Sequence, residues 1–168
     1  RMDVGGTLMA TLKFEGLEEY ERKLSALGKN SRETAAKAVY AGADIVANAI
    51  RNGLDEVPTL PNTSKTKKYT RGVPKIQIEG LKDSFGISRM RDDEGFLNVK
   101  IGFRGYNRVK TKKYPQGQPN QIIAAAVESG SSIQQKYPFV RKAIKKCQEE
   151  ALEAMAAVID EETAKIMK

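Results

Sequence analysis

From Pro138 to the end of the chain, Val140, Ile144, Cys147, Ala151, Met155, Val158 and Ile166 recur mostly at spacings of three and four. That period puts them on one face of a single long helix. Pro138 stands where a helix N-terminus tolerates proline, and Phe139 places an aromatic in the first turn. Just upstream, Ala126-Val127-Glu128-Ser129-Gly130 reads as the end of a short apolar strand followed by a turn. Over the wider stretch 122–127, apolar throughout, periodicity does not separate a strand from a helical turn. Neither piece is a catalytic device; both look like scaffold.

The rest of the chain supplies surfaces for that helix. Residues 17–28 carry Leu17, Tyr20, Leu24 and Leu27 on one helical face, with Gly28 as a stop. Asn30 and Glu33 resemble a capping box for a second helix reaching about Gly53, with Ala35, Val39, Ala43, Val46, Ala49 and Ile50 as its apolar stripe. Ala38, Gly42 and Ala43 leave room for another helix to approach closely. Residues 54–79, with Pro58, Pro61 and Pro74, read as a surface loop, and 81–85 as a short helical turn. Strands are expected over 86–90 and 96–103, joined by Asp92-Asp93-Glu94-Gly95. Leu97, Val99, Ile101 and Phe103 would form the buried face. Residues 105–121 form a second polar loop. The expected fold class is α+β: two N-terminal helices and a long C-terminal helix packed on a small antiparallel sheet, with long basic loops. Residues 1–8 read as an expression scar, and 9–168 as one domain.

The chain has 168 residues, no histidine and one cysteine. Without histidine, His-based zinc sites, Ser-His or Cys-His nucleophile pairs and histidine proton shuttles are all excluded. Cys147 lies on the apolar seam, as a buried and inert thiol would. No disulfide framework is available, which fits a reducing cytoplasm or a particle assembled there. No apolar run is long enough to span a bilayer and no signal peptide is visible. Asp92-Asp93-Glu94 reads as a solvated turn and not a metal site. Glu128 reads as a carboxylate bonded to backbone N–H groups of the following turn, not as an acid/base group. No phosphate-binding glycine loop appears, and no cofactor or enzymatic activity is expected.

The formal net charge is +8. Residues 57–127 hold 14 basic against 5 acidic side chains, and the remainder holds 15 against 16, so the excess sits in mid-chain. Its cations cluster in two loops, Lys65, Lys67, Lys68 and Arg71 in one, Arg108, Lys110, Lys112 and Lys113 in the other, each with a tyrosine nearby. Such loops suit an acidic protein surface or nucleic-acid phosphates. None of the sequence-specific nucleic-acid modules is recognisable.

Taken in order, these pieces resemble the neck or tail-component family of lambda-like long-tailed bacteriophages and prophages. Gly16-Leu17-Glu18-Glu19-Tyr20 through Leu27 is similar to the family's first helix, and residues 38–50 to its second. Val57-Pro58-Thr59 stands at an expected proline, and Gly80-Leu81-Lys82-Asp83-Ser84-Phe85 resembles its Gly-x-Leu segment. Val127-Glu128-Ser129-Gly130 and Pro138-Phe139 with Ala143 match a Val-Glu-x-Gly strand end and a Pro-Phe helix start. The resemblance covers roughly residues 12–166. Two departures are the long separation of Pro58 from Gly80 and the long basic stretch 104–121. The family implies a non-enzymatic virion component between head and tail, forming a ring of small α+β subunits. Its implied partners are copies of itself, connector or head-completion and tail proteins and the passing DNA, with no membrane. Glu128, Gly130, Pro138 and Phe139 would be structural motif positions. A small basic protein binding nucleic acid non-specifically is the alternative.

Overall fold

The computed structural model of the chain describes residues 10–11, 30–61 and 71–166. The expected scar over 1–8 and the helix over 17–28 therefore lie outside the described residues. Helices α1 (Ser31–Asp55) and α4 (Phe139–Ile166) form an antiparallel pair. Gly53 lies against Phe139, Gly42 against Ala151 and Met155, and Lys37 bonds to Glu162. On α1 two columns at spacing four are buried, Thr34-Ala38-Gly42-Val46-Ile50-Leu54 and Ala35-Val39-Ala43-Ala47. On α4 the buried column is Phe139-Ala143-Cys147-Ala151-Met155-Ile159. Rows at i±4 are ridges that interdigitate when helices pack. The small residues do allow close approach: a Cβ at Gly42 would stand 2.7 Å from Met155 Sδ.

Two helix details differ from expectation. Val140, Ile144 and Val158 are only half-buried, because an unbroken i+4 column matches the rows of α1 better than a 3.6-residue average. Asn30 has helical φ and ψ and makes no side-chain cap. Its carbonyl simply accepts the Thr34 N–H, and Glu33 pairs with Lys37 instead.

Between the long helices lie strands and two short helices. Strands β1 (Ala10–Thr11), β4 (Phe85–Ile87) and β7 (Lys100–Phe103) make an antiparallel sheet in the order β1-β7-β4. β5 (Arg91–Asp93) and β6 (Phe96–Asn98) form a separate hairpin. Its turn is only Glu94-Gly95, both with positive φ, which matches the twist of a two-residue hairpin. The expected strand over 96–103 is thus cut in two, the one over 86–90 ends at Ile87, and β5 takes up residues 91–93, part of the expected loop. Ile87 pairs with Ile101 but Arg91 with Asn98, so one extra residue enters the first strand. Ser88 N–H donates to the Lys100 carbonyl and Ser88 Oγ accepts the Lys100 N–H, leaving Arg89 and Met90 opposite Val99. This bulge shifts the side-chain phase by one. As a result Met90 packs on the core after Phe85 and Ile87, and Arg89 stays exposed. Val99, Ile101 and Phe103 are buried as the alternation predicts. The Phe103 ring lies 5.0 Å from Phe85 and 6.1 Å, edge-on, from Phe139.

Where it is described, at 54–61 and 71–79, the expected loop over 54–79 contains regular elements. α1 continues to Asp55, β2 (Thr59–Leu60) pairs in parallel with β3 (Val73–Pro74), and α2 (Lys75–Ser84) follows at once. Pro74 ends the extended segment and opens α2, a role proline's fixed φ suits. The prolines therefore mark element boundaries and do not abolish structure. The strand end expected at 126–130 is likewise the last turn of a helix, α3 (Asn120–Ser129). Pro119 precedes it, three alanines favour it, and its buried positions Ile123, Ala124, Val127 and Glu128 follow a helical period. The chain is α+β, with four helices and small sheets among the described residues.

Candidate assembly surface

Glu128 ends α3 with its carboxylate 2 % exposed, aimed at the start of α4. Oε2 accepts the Val140 N–H at 2.8 Å. Oε1 accepts the Arg141 N–H at 3.2 Å and Arg141 Nε at 3.0 Å. The first turn of a helix has unpaired N–H groups and a positive field, so a carboxylate there is stabilising. Glu128 was expected to bond the turn that follows it; its partners are instead ten or more residues further on. Gly130 makes that reach possible: its φ of 78° and ψ of 174° belong to glycine alone, and its N–H closes α3 on the Ala126 carbonyl. Tyr137 N–H then returns to the Val127 carbonyl at 2.7 Å. Pro138 precedes α4, and Phe139 is buried against Gly53 and Phe103. The four motif positions are thus one joint.

The second basic loop is ordered by two buried asparagines absent from the sequence reading. Asn107 Nδ2 donates to the Gln77 carbonyl at 3.2 Å and to Asn120 Oδ1 at 3.1 Å, while its Oδ1 accepts the Val109 N–H. Asn120 Nδ2 donates to the Arg104 carbonyl at 2.9 Å. Backbone bonds Asn107–Gln118 and Gln118–Val109 zip the base, and Thr111 and Tyr114 exchange bonds near the tip. Gly80, the glycine of the resemblance's Gly-x-Leu segment, leaves the space that the Asn107 amide fills. The only hint in the sequence was two asparagines beside Gly105 and Pro119, which also reads as ordinary loop composition.

On this pinned base Arg108, Lys110, Lys112 and Lys113 are all exposed. Lys113 lies over the Tyr114 ring, 5.5 Å from its centre. Among the described residues, Arg108, Lys110 and Lys112 form no ion pair. Tyr106, 69 % exposed, sits at the loop's entrance. Of the first loop's cations, Lys65, Lys67 and Lys68 lie outside the described residues. Arg71 is exposed, and its carbonyl accepts the Tyr137 hydroxyl, which ties that loop's end to the joint before α4. Among the described residues no hydrogen bond or ion pair links Arg71 to the second loop.

The other singled-out groups have local partners. Asp92 accepts the Gly95 N–H and pairs with Arg32, and Asp93 accepts from Asn98. Among the described residues no cluster of metal-ligating side chains occurs, and no helix is long and apolar enough to cross a membrane. Cys147 is buried, which pushes its thiol above the ordinary value, and Glu150 adds to the rise. It lines a groove of about 490 Å³ between α1 and α4, with Ala49, Gly53, Val57 and Ala143.

One basic patch escaped the sequence reading. Lys136, Arg141, Lys142, Lys145 and Lys146 are all exposed at and just before the start of α4. Their charge does not show in the regional balance, because the acidic half of the same helix cancels it.

No protein-family description, curated protein or solved structure matches the chain.

Proposed function

We propose that the chain is a non-enzymatic assembly subunit of a long-tailed bacteriophage or prophage, acting at the head–tail junction or in tail completion, as one copy in a ring. The Glu128 joint carries this reading. The two segments on which the resemblance leans most, 127–130 and 137–143, are brought into one contact by a buried carboxylate. Residues chosen for turnover have no need of that arrangement, whereas a subunit that must hold a long helix at a set angle does. The pinned loop 104–119 supports the same role, because it presents cations on a firm base for docking to acidic neighbours. Its partners would be other copies, connector or head-completion and tail proteins, and the passing DNA. Its place would be the virion, assembled in the bacterial cytoplasm.

The test is charge reversal of Lys110, Lys112 and Lys113 to Glu in a phage or prophage carrying the gene. The purified variant should keep the parent's circular dichroism while electron microscopy finds tailed particles greatly reduced. Normal yields of infectious tailed particles would count against the loop's role.

A second reading, non-specific nucleic-acid binding, is favoured by Arg108, Lys110 and Lys112, which form no ion pair among the described residues, together with the exposed Tyr106. DNA retention should then fall by orders of magnitude between low and moderate salt, and the same triple reversal should remove it. Absence of retention at low salt ends this reading.

A further inference from the structure

The exposed side of α4 is ordered by charge. Lys142, Lys145 and Lys146 are followed by Glu149, Glu150 and Glu153, with no opposing charge inside either block. All six are exposed. At 100° per residue they fall within roughly 140° of the helix circumference. Among the described residues none of their side chains forms an ion pair or hydrogen bond, although Lys145 and Glu149, and Lys146 and Glu150, stand four apart. The order is also the reverse of what the helix itself favours, since cations belong near its C-terminus and anions near its N-terminus. Stability of the single chain does not account for this pattern.

The spacing does. Positions 142 and 153, 145 and 150, and 146 and 149 share one midpoint, between Cys147 and Gln148. A twofold axis through that point, perpendicular to the helix, sets each lysine opposite a glutamate of a second helix running antiparallel. We infer that this face of α4 docks against the same face of a second copy, with pairs Lys142–Glu153, Lys145–Glu150 and Lys146–Glu149 each made twice. A twofold contact of this kind is self-complementary by construction. Nucleic acid would call for a face of one sign, which this is not. The inference does not depend on the virion reading, because it concerns the free protein's own association.

Sedimentation equilibrium on the full chain tests it. A dimer is expected at low salt, with association weakening about tenfold or more on going to moderate salt as the exposed pairs are screened. Reversing Lys142, Lys145 and Lys146 to Glu should leave a folded monomer, and so should reversing Glu149, Glu150 and Glu153 to Lys. Mixing the two variants should restore association. Zero-length carbodiimide coupling of mixed light and heavy isotope-labelled chains reads the register. Mixed-isotope Lys142–Glu153 links are expected, and within one helix those residues are roughly 16 Å apart, too far to couple. A chain that stays monomeric at low salt overturns the inference, as does dimerisation unchanged by either reversal. A monomer that retains DNA through Lys142, Lys145 and Lys146 would also overturn it and assign the basic half to nucleic acid.

Discussion

At the scale of single residues, Glu128 and Asn107 do the most with the least surface. Glu128 serves two backbone N–H groups that would otherwise be unpaired at the start of α4, and it is nearly fully buried. Its ion-pair partner Arg141 is 72 % exposed on the side chain, so water screens that part of the interaction. Glu128→Ala should therefore cost about 2 kcal/mol, from a lost cap and buried charge-assisted bonds. Arg141→Ala should cost less than about 1 kcal/mol. Urea denaturation of the two variants checks this ordering, and equal losses would mean that the guanidinium carries the joint. Asn107→Ala strands the Val109 N–H, the Gln77 carbonyl and Asn120 Oδ1. A loss of about 1–3 kcal/mol is expected, with faster hydrogen exchange at Asn107 and Gln118, whose amides zip the loop base. Exchange unchanged at those amides would show that the backbone bonds alone hold the loop.

Between elements, the open end of the α1–α4 pair is tied by a cluster of exposed ions. Lys37 reaches Glu33 and Glu162, and Lys165 reaches Glu161 and Glu162. The two lysines hold the Glu162 carboxyl below its ordinary value, through hydrogen bonds first from Lys37 and then from Lys165. Lys37 is raised by its bonds to Glu162 and then Glu33, and Lys165 by its bonds to Glu161 and then Glu162. The signs follow from linkage. Glu162's contribution is fully present above the unfolded carboxylate pKa and is lost as pH falls through its lowered folded value. The lysines' contribution is fully present below their unfolded pKa and is lost as pH rises through their raised values. The stability difference between the parent and Glu162→Gln should accordingly shrink as pH drops below the carboxylate range. Thermal melts of both chains from neutral to acid pH check it, and a constant difference would place the effect in packing.

Over the whole molecule, net charge conceals opposed local blocks. The excess behind the formal +8 sits at 57–127, while the basic half of α4 is cancelled by its acidic half. Reversing Lys110, Lys112 and Lys113 alters three exposed side chains, of which Lys113 lies over the half-buried Tyr114 ring. Folding stability should therefore move by less than about 0.5 kcal/mol, as for surface substitutions generally. An assembly defect in that variant then reports on docking and not on folding; a large drop in its melting temperature would withdraw that interpretation. Long-range effects of charge act on partners and encounter rates, not on the core.

Residue order alone determined the long helices, the buried face of β7, the exclusion of histidine chemistry and the position of the second charged loop. Each depends on local period or on composition, and both can be read along one chain. Tertiary structure decided the rest. Residues 120–129 became a helix because Ile123, Ala124 and Val127 found a core on one side. The extra residue at Arg89–Met90 appears only when two strands are paired. Glu128 and Asn107 owe their roles to donors and acceptors 12 and more residues away along the chain, because a buried polar group is satisfied by what lies near in space, and sequence spacing does not record that distance.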